Sequence, residues 1–94
     1  MLRITISENG EVQLSGRFDA SQVDKATARF NKITKSCTVN FAELEYISSA
    51  GLGVLLATQK RLGESGHRLK LVNLNKHIRD VFRYAGFDKV FEIQ

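Results

Sequence analysis

Two adjacent hydroxyls, Ser48 and Ser49, stand between an apolar approach, Tyr46-Ile47, and the run Gly51-Leu52-Gly53-Val54-Leu55-Leu56. This order predicts a strand running into a helix, with both serines at the helix N-terminus. The first N–H groups of a helix lack intrahelical partners and the macrodipole adds partial positive charge there, so the position tolerates an anion such as a phosphoryl group. Ser49 is therefore a candidate modification site, with Ser48 as the fallback acceptor. Serine is equally a preferred N-cap, and plain capping accounts for the same pattern.

Other chemistries fit less well. Gly51-Leu52-Gly53 lacks the third glycine of a dinucleotide fingerprint, since Leu56 stands there, and no Gly-Lys-Ser/Thr follows as in a phosphate-binding loop. The surroundings of Ser49 do not match a Gly-x-Ser-x-Gly nucleophile elbow. His67 and His77 lie ten positions apart in sequence with no cysteine or acidic cluster at ligand spacing, so they read as surface histidines rather than metal ligands. Cys37 is the single cysteine, which precludes an intrachain disulfide; it reads as a small inward-facing core residue. No catalytic residue, metal or cofactor is expected.

The elements that must position the serines follow from hydrophobic periodicity. Leu2, Ile4 and Ile6 alternate with polar residues, Asn9-Gly10 supplies a turn in which both residues accept positive φ, and Val12 and Leu14 resume the alternation, predicting a hairpin. Gly16 to Ala20 reads as a polar loop. Ser21 and Asp24 have capping-box-like spacing before a helix carrying Val23, Ala26, Phe30 and Ile33 on one face. Cys37, Val39 and Phe41 give a third strand, parallel to one of the first two.

The central helix is expected from about Ser49 to Leu62, with Leu52, Leu55, Leu56 and Leu62 toward the core and Lys60 and Glu64 toward water. Gly63 and Gly66 mark its end. Leu69, Leu71 and Leu74 open the next strand. Asn75 caps a third helix with Ile78, Val81, Phe82 and Ala85 on one stripe, Gly86 ends it, and Val90, Phe91 and Ile93 form a last short strand. The order β-β-α-β-α-β-α-β predicts an α/β fold, a mixed sheet with an N-terminal hairpin and helices packed against it. The loops at Gly16–Ala20 and Ile47–Ala50 should share one surface at the carboxyl ends of the strands.

Ninety-four residues, 43% hydrophobic and 26% charged, suit one globular domain over residues 1–94. The formal charge of +4 is spread from Arg3 to Lys89, and no aromatic platform is interleaved with it, so direct nucleic-acid binding is not expected. The longest apolar stretch is too short to span a bilayer and nothing resembles a signal peptide, which points to a cytoplasmic protein without membrane insertion.

Leu14-Ser15-Gly16-Arg17-Phe18-Asp19-Ala20, the stretch from Phe41 to Gly53 and the ending Val81-Phe82-Arg83-Tyr84-Ala85-Gly86-Phe87 resemble, in order and spacing, a STAS domain of the anti-sigma factor antagonist type. The resemblance implies that an anti-sigma factor which is also a serine kinase binds the unmodified chain and that phosphorylation ends the interaction, with a serine phosphatase as a second partner. It places the acceptor at Ser49, two residues before Gly51, and a partner-binding surface at Asp19, Ser48 and Ser49, with Arg17 beside them. Many members carry aspartate just before the acceptor and at the end of the preceding strand; here those positions hold Ser48 and Asn40. STAS domains are also subunits of lipid-transport ABC complexes, which is the alternative function.

Overall fold

The computed structural model describes all residues, 1–94. Strands β1 (Leu2–Ile6), β2 (Val12–Phe18), β3 (Cys37–Ile47), β4 (Leu69–Val72) and β5 (Glu92–Ile93) form one sheet in that order. Helices α1 (Val23–Phe30), α2 (Ser49–Gly63) and α3 (Lys76–Tyr84) follow β2, β3 and β4. β1 pairs antiparallel with β2, and the other pairs are parallel. The mixed α/β order is the one expected, with two added single-turn 3-10 helices at Ala20–Gln22 and Phe87–Lys89.

The hairpin turn departs from the sequence reading in one detail. Only Gly10 has positive φ, at 85°; Asn9 instead uses its side chain, whose Oδ1 accepts from the Glu11 amide at 3.2 Å and from the Ser7 hydroxyl. The longer Ser7–Glu11 closure, with the Ser7 amide donating to the Glu11 carbonyl, removes the need for a second left-handed residue.

Residues of alternating type bury one face of the sheet. Leu2, Ile4, Val12, Leu14, Val39, Phe41, Leu69 and Leu71 are all buried in a single core with Phe30, Leu55 and Ile78 from the helices. Phe82 from α3 sits edge-on to Phe41 at 6.0 Å and to Phe91 at 5.7 Å, pairings worth about 0.5–1.5 kcal/mol beyond burial. Arg61 ties the helices together: its guanidinium donates to the Phe30 and Ile33 carbonyls at 2.9 and 2.8 Å, satisfying the C-terminal end of α1 from α2.

Several boundaries move. Ser21 does not cap α1: it lies in the 3-10 turn Ala20–Gln22, whose cap is Asp19, accepting from the Ser21 amide at 3.0 Å, while α1 starts after Gln22 without a side-chain cap bond and Ile33 lies past its end. Gly16 and Arg17 belong to β2 rather than to a loop. Leu74 is buried but outside β4, because Asn73 turns left-handed at φ 61°. Val90 and Phe91 precede the last strand, and Val90 is exposed. Asn75 caps α3 as expected, its Oδ1 accepting from the Ile78 amide at 2.8 Å, and Gly86 ends that helix with φ 77°.

Candidate functional site

The site is assembled where β2 and β3 end together. Phe18 pairs with Ile47 across the parallel ladder, and the Ser48 amide then donates to the Phe18 carbonyl at 2.9 Å, extending the ladder by one bond into the start of α2. Ser48 is extended, at φ −92° and ψ 172°, and its Oγ accepts from the Gly51 amide at 3.2 Å. Ser48 is thus the N-cap, and the expectation that Ser49 could be the capping residue is corrected.

Ser49 is the first residue of α2 and is exposed. Its hydroxyl caps nothing, because Ser48 already fills that role. The two serines, alike in sequence, have separate geometries: one hydroxyl is engaged with the backbone and half-buried, the other stands free at the positive end of a 15-residue helix.

Gly51 explains how α2 starts so close to the strands. A Cβ there would lie 2.9 Å from Ile47 Cγ1 and 3.0 Å from the ring of Phe18, both buried. Gly53 has open space around the same position and is exposed. Ser49, Gly53 and Ala57, four residues apart, therefore present a low, small-residue flank on the outer side of α2.

Asp19 follows Phe18 directly, so the ladder bond from Ser48 holds it at the same end of the sheet. Its Oδ1 accepts from both the amide and the hydroxyl of Ser21, and these bonds, the hydroxyl's first, hold its carboxyl below the ordinary value of 3.8. The bonds to Ser21 spread its charge and fix its rotamer without hiding it from water.

Arg17 is placed differently. Side chains alternate along β2, and since Phe18 faces the helices, Arg17 faces the other side of the sheet. There its guanidinium lies 4.3 Å from the centre of the Tyr46 ring. It borders the site but is not grouped with the serines.

Asn40 is not at a strand end. It lies within β3, where its Oδ1 accepts from the Ala42 amide at 2.9 Å and from Asn73 Nδ2 at 3.2 Å, bracing a register shift and the left-handed turn after β4. Asn40 is a structural residue of the sheet.

β4 ends short of this site: Val72 pairs with Asn40, so the segment from Asn73 to the start of α3 lies beside the middle of β3 rather than against Ser48 and Asp19. Asn75 Nδ2 donates to the Leu44 carbonyl at 3.3 Å, anchoring it to β3.

Cys37 sits at the opposite end of β3, half-buried against the core, and burial pushes its thiol up from 9.0, away from thiolate reactivity.

A five-stranded mixed sheet with three helices in this order is the architecture of a STAS domain. The chain belongs to that family: residues 4–93 match the family model described as "Mlab, STAS domain".

Among curated relatives it is similar to BtrV of Bordetella bronchiseptica, named as an anti-sigma factor antagonist, at 38% identity over 74 residues. That match takes in 79% of this chain, and the chain spans 58% of the relative's length. Among solved structures it superposes on the anti-sigma factor antagonist SpoIIAA in its unphosphorylated form with TM-score 0.78 at 20% identity, covering 100% of this chain and 88% of that one. Bacillus SpoIIAA in the phosphorylated form gives TM-score 0.71 at 20% identity, over 100% and 91% of the two chains. At that identity the likeness establishes the fold. No helix of the chain is long and apolar enough to cross a membrane.

Proposed function

We propose that this chain is an anti-sigma factor antagonist that works by partner switching. In its unmodified state it binds an anti-sigma factor that is also a serine kinase; phosphorylation of Ser49 releases it, and a serine phosphatase restores it. The observation that carries the reading is the division of labour between the serines: Ser48 Oγ is held by the Gly51 amide, whereas Ser49 is exposed at the first turn of α2. The similarity to BtrV and the likeness to SpoIIAA, known in both phosphorylated and unphosphorylated forms, support it.

The physics favours a switch that acts on the complex rather than on the domain. A phosphoryl group on Ser49 adds about −1.5 to −2 charge at pH 7. The helix terminus favours such a charge by only about 0.3–1 kcal/mol at an exposed site, so the fold changes little. In a closed interface an unpaired charge costs about 3–5 kcal/mol, enough to eject the partner. The surface the partner covers is formed by Asp19, Ser48 and Ser49, with Arg17 at its border. The chain itself acts by binding, in the cytoplasm, where ATP and a kinase meet it.

A second reading keeps the same surface as a STAS subunit of a lipid-transport ABC complex, without phosphorylation. The matching family model carries the description Mlab rather than that of an antagonist, which keeps this reading in view. Phosphosite mapping separates the two. Chain isolated from its native cells carries a phosphoryl group on Ser49, and none on Ser48, if the switch operates; chain that is unmodified under all growth conditions overturns it.

A further inference from the structure

The end of the molecule away from Ser49 holds a cleft of about 460 Å³, between the β1–β2 hairpin and the connection from α1 to β3. Its origin lies in element lengths. β1 runs five residues, roughly 17 Å, while the eight-residue α1 that covers the sheet spans roughly 12 Å. Leu2 and Ile4 are covered; Ile6, next on the same face, is 47% exposed.

Its apolar side is formed by Ile6, Val12, Ile33 and Cys37; the other eight of the twelve lining residues are polar, charged or glycine, Lys32 and Lys35 among them. Both lysines are exposed, and neither takes part in any of the chain's three ion pairs. Glu11, the one acid of the lining, contacts its neighbour Gln13 through Oε2 at 3.4 Å. The volume falls within the roughly 300–1,000 Å³ typical of small-molecule sites.

We propose that this cleft binds an amphiphilic organic anion, its apolar tail against Ile6 and Ile33 and its carboxylate or phosphate at Lys32 and Lys35. An apolar wall with free cations at its mouth selects for both halves of such a molecule: a tail alone leaves the lysines without a counter-ion, and a simple anion leaves the apolar wall exposed to water. The cleft lies across the length of β2 and β3 from Ser49, so occupancy is independent of the phosphorylation state.

The test is an amide NMR titration of the whole chain with decanoate, kept below its micellar concentration, with acetate and decyltrimethylammonium as comparisons. Decanoate should give saturable shifts at Ile6, Gly10, Ile33 and Cys37 while Ser49 and Gly53 stay still, and the K32E/K35E double variant should weaken binding at least tenfold. The proposal is overturned if decanoate gives no saturable shifts there, if acetate or the cationic amphiphile binds as well, or if the double variant binds decanoate equally.

Discussion

The Ser48 amide donates to the carbonyl of Phe18 at 2.9 Å, so the end of β2 and the cap of α2 are one hydrogen-bonded unit. Through this bond Asp19 and Ser49, thirty positions apart in sequence, are held at the same end of the sheet. Ser48 is bonded into this unit and Ser49 is not, so changes at the two serines should have different consequences.

Ser48→Ala removes the cap of α2 and should cost about 1 kcal/mol, within the usual range of about 0.5–2 kcal/mol for such losses. Ser49→Ala touches no hydrogen bond and should change stability by less than about 0.5 kcal/mol. Urea denaturation of the two variants side by side checks the assignment; equal losses would mean that Ser49 also caps the helix.

The two glycines should part company in the same assay. Gly51→Ala presses a methyl group into Phe18 and Ile47, an overpacking that costs about 1–3 kcal/mol and outweighs the better helix propensity of alanine. Gly53→Ala meets open space and should stabilise by up to about 1 kcal/mol. A stabilised Gly51→Ala variant would show that α2 can lift away from the strands at little cost.

Arg61→Met should destabilise through the loss of two charge-assisted bonds to the Phe30 and Ile33 carbonyls, by about 1.5–3 kcal/mol. Partner binding, at the other end of α2, should be unchanged when measured at a temperature where the variant is folded. Weakened binding by folded protein would implicate the α1–α2 clamp in the switch.

Asp19 titrates below its ordinary value because the Ser21 hydroxyl and amide donate to it. A depressed carboxylate adds stability above the unfolded-chain value and loses it as pH falls through the folded one, so its contribution disappears only in acid, below about pH 4. Carbon-13 NMR titration of the Asp19 carboxyl should show this depression, and Ser21→Ala should raise the value toward normal. A value already at the normal level in the wild type would show that the turn at Asp19–Ser21 is open in solution.

Much of this arrangement is legible in the chain. Asn75 before an amphipathic stripe announces α3, and two serines before Gly51-Leu52-Gly53 announce the start of α2, since capping chemistry is local. The choice between Ser48 and Ser49 is not legible, because it depends on which amide the end of β2 captures. β3 extends past Phe41 to Ile47, but its buried residues Phe41, Leu44 and Ile47 are spaced by three, since register shifts break the period of two. The cap at Asp19 is hidden for a similar reason: a single 3-10 turn separates it from α1, so Ser21 occupies the position a simple capping pattern selects. The exposure of Ile6 follows from the length of α1 relative to β1, which no window of sequence contains.

In partner switching the state of Ser49 decides which partner is held. Its most direct test is retention of native-lysate proteins on wild-type, Ser49→Ala and Ser49→Asp chains, with the retained proteins identified by mass spectrometry and the affinity of the recovered partner then measured. Wild type and alanine should retain an ATP-binding serine kinase, and aspartate should weaken it on the order of a hundredfold, about 2.7 kcal/mol. Retention of the same transporter ATPase by all three, or equal affinity of the kinase for all three, would contradict it.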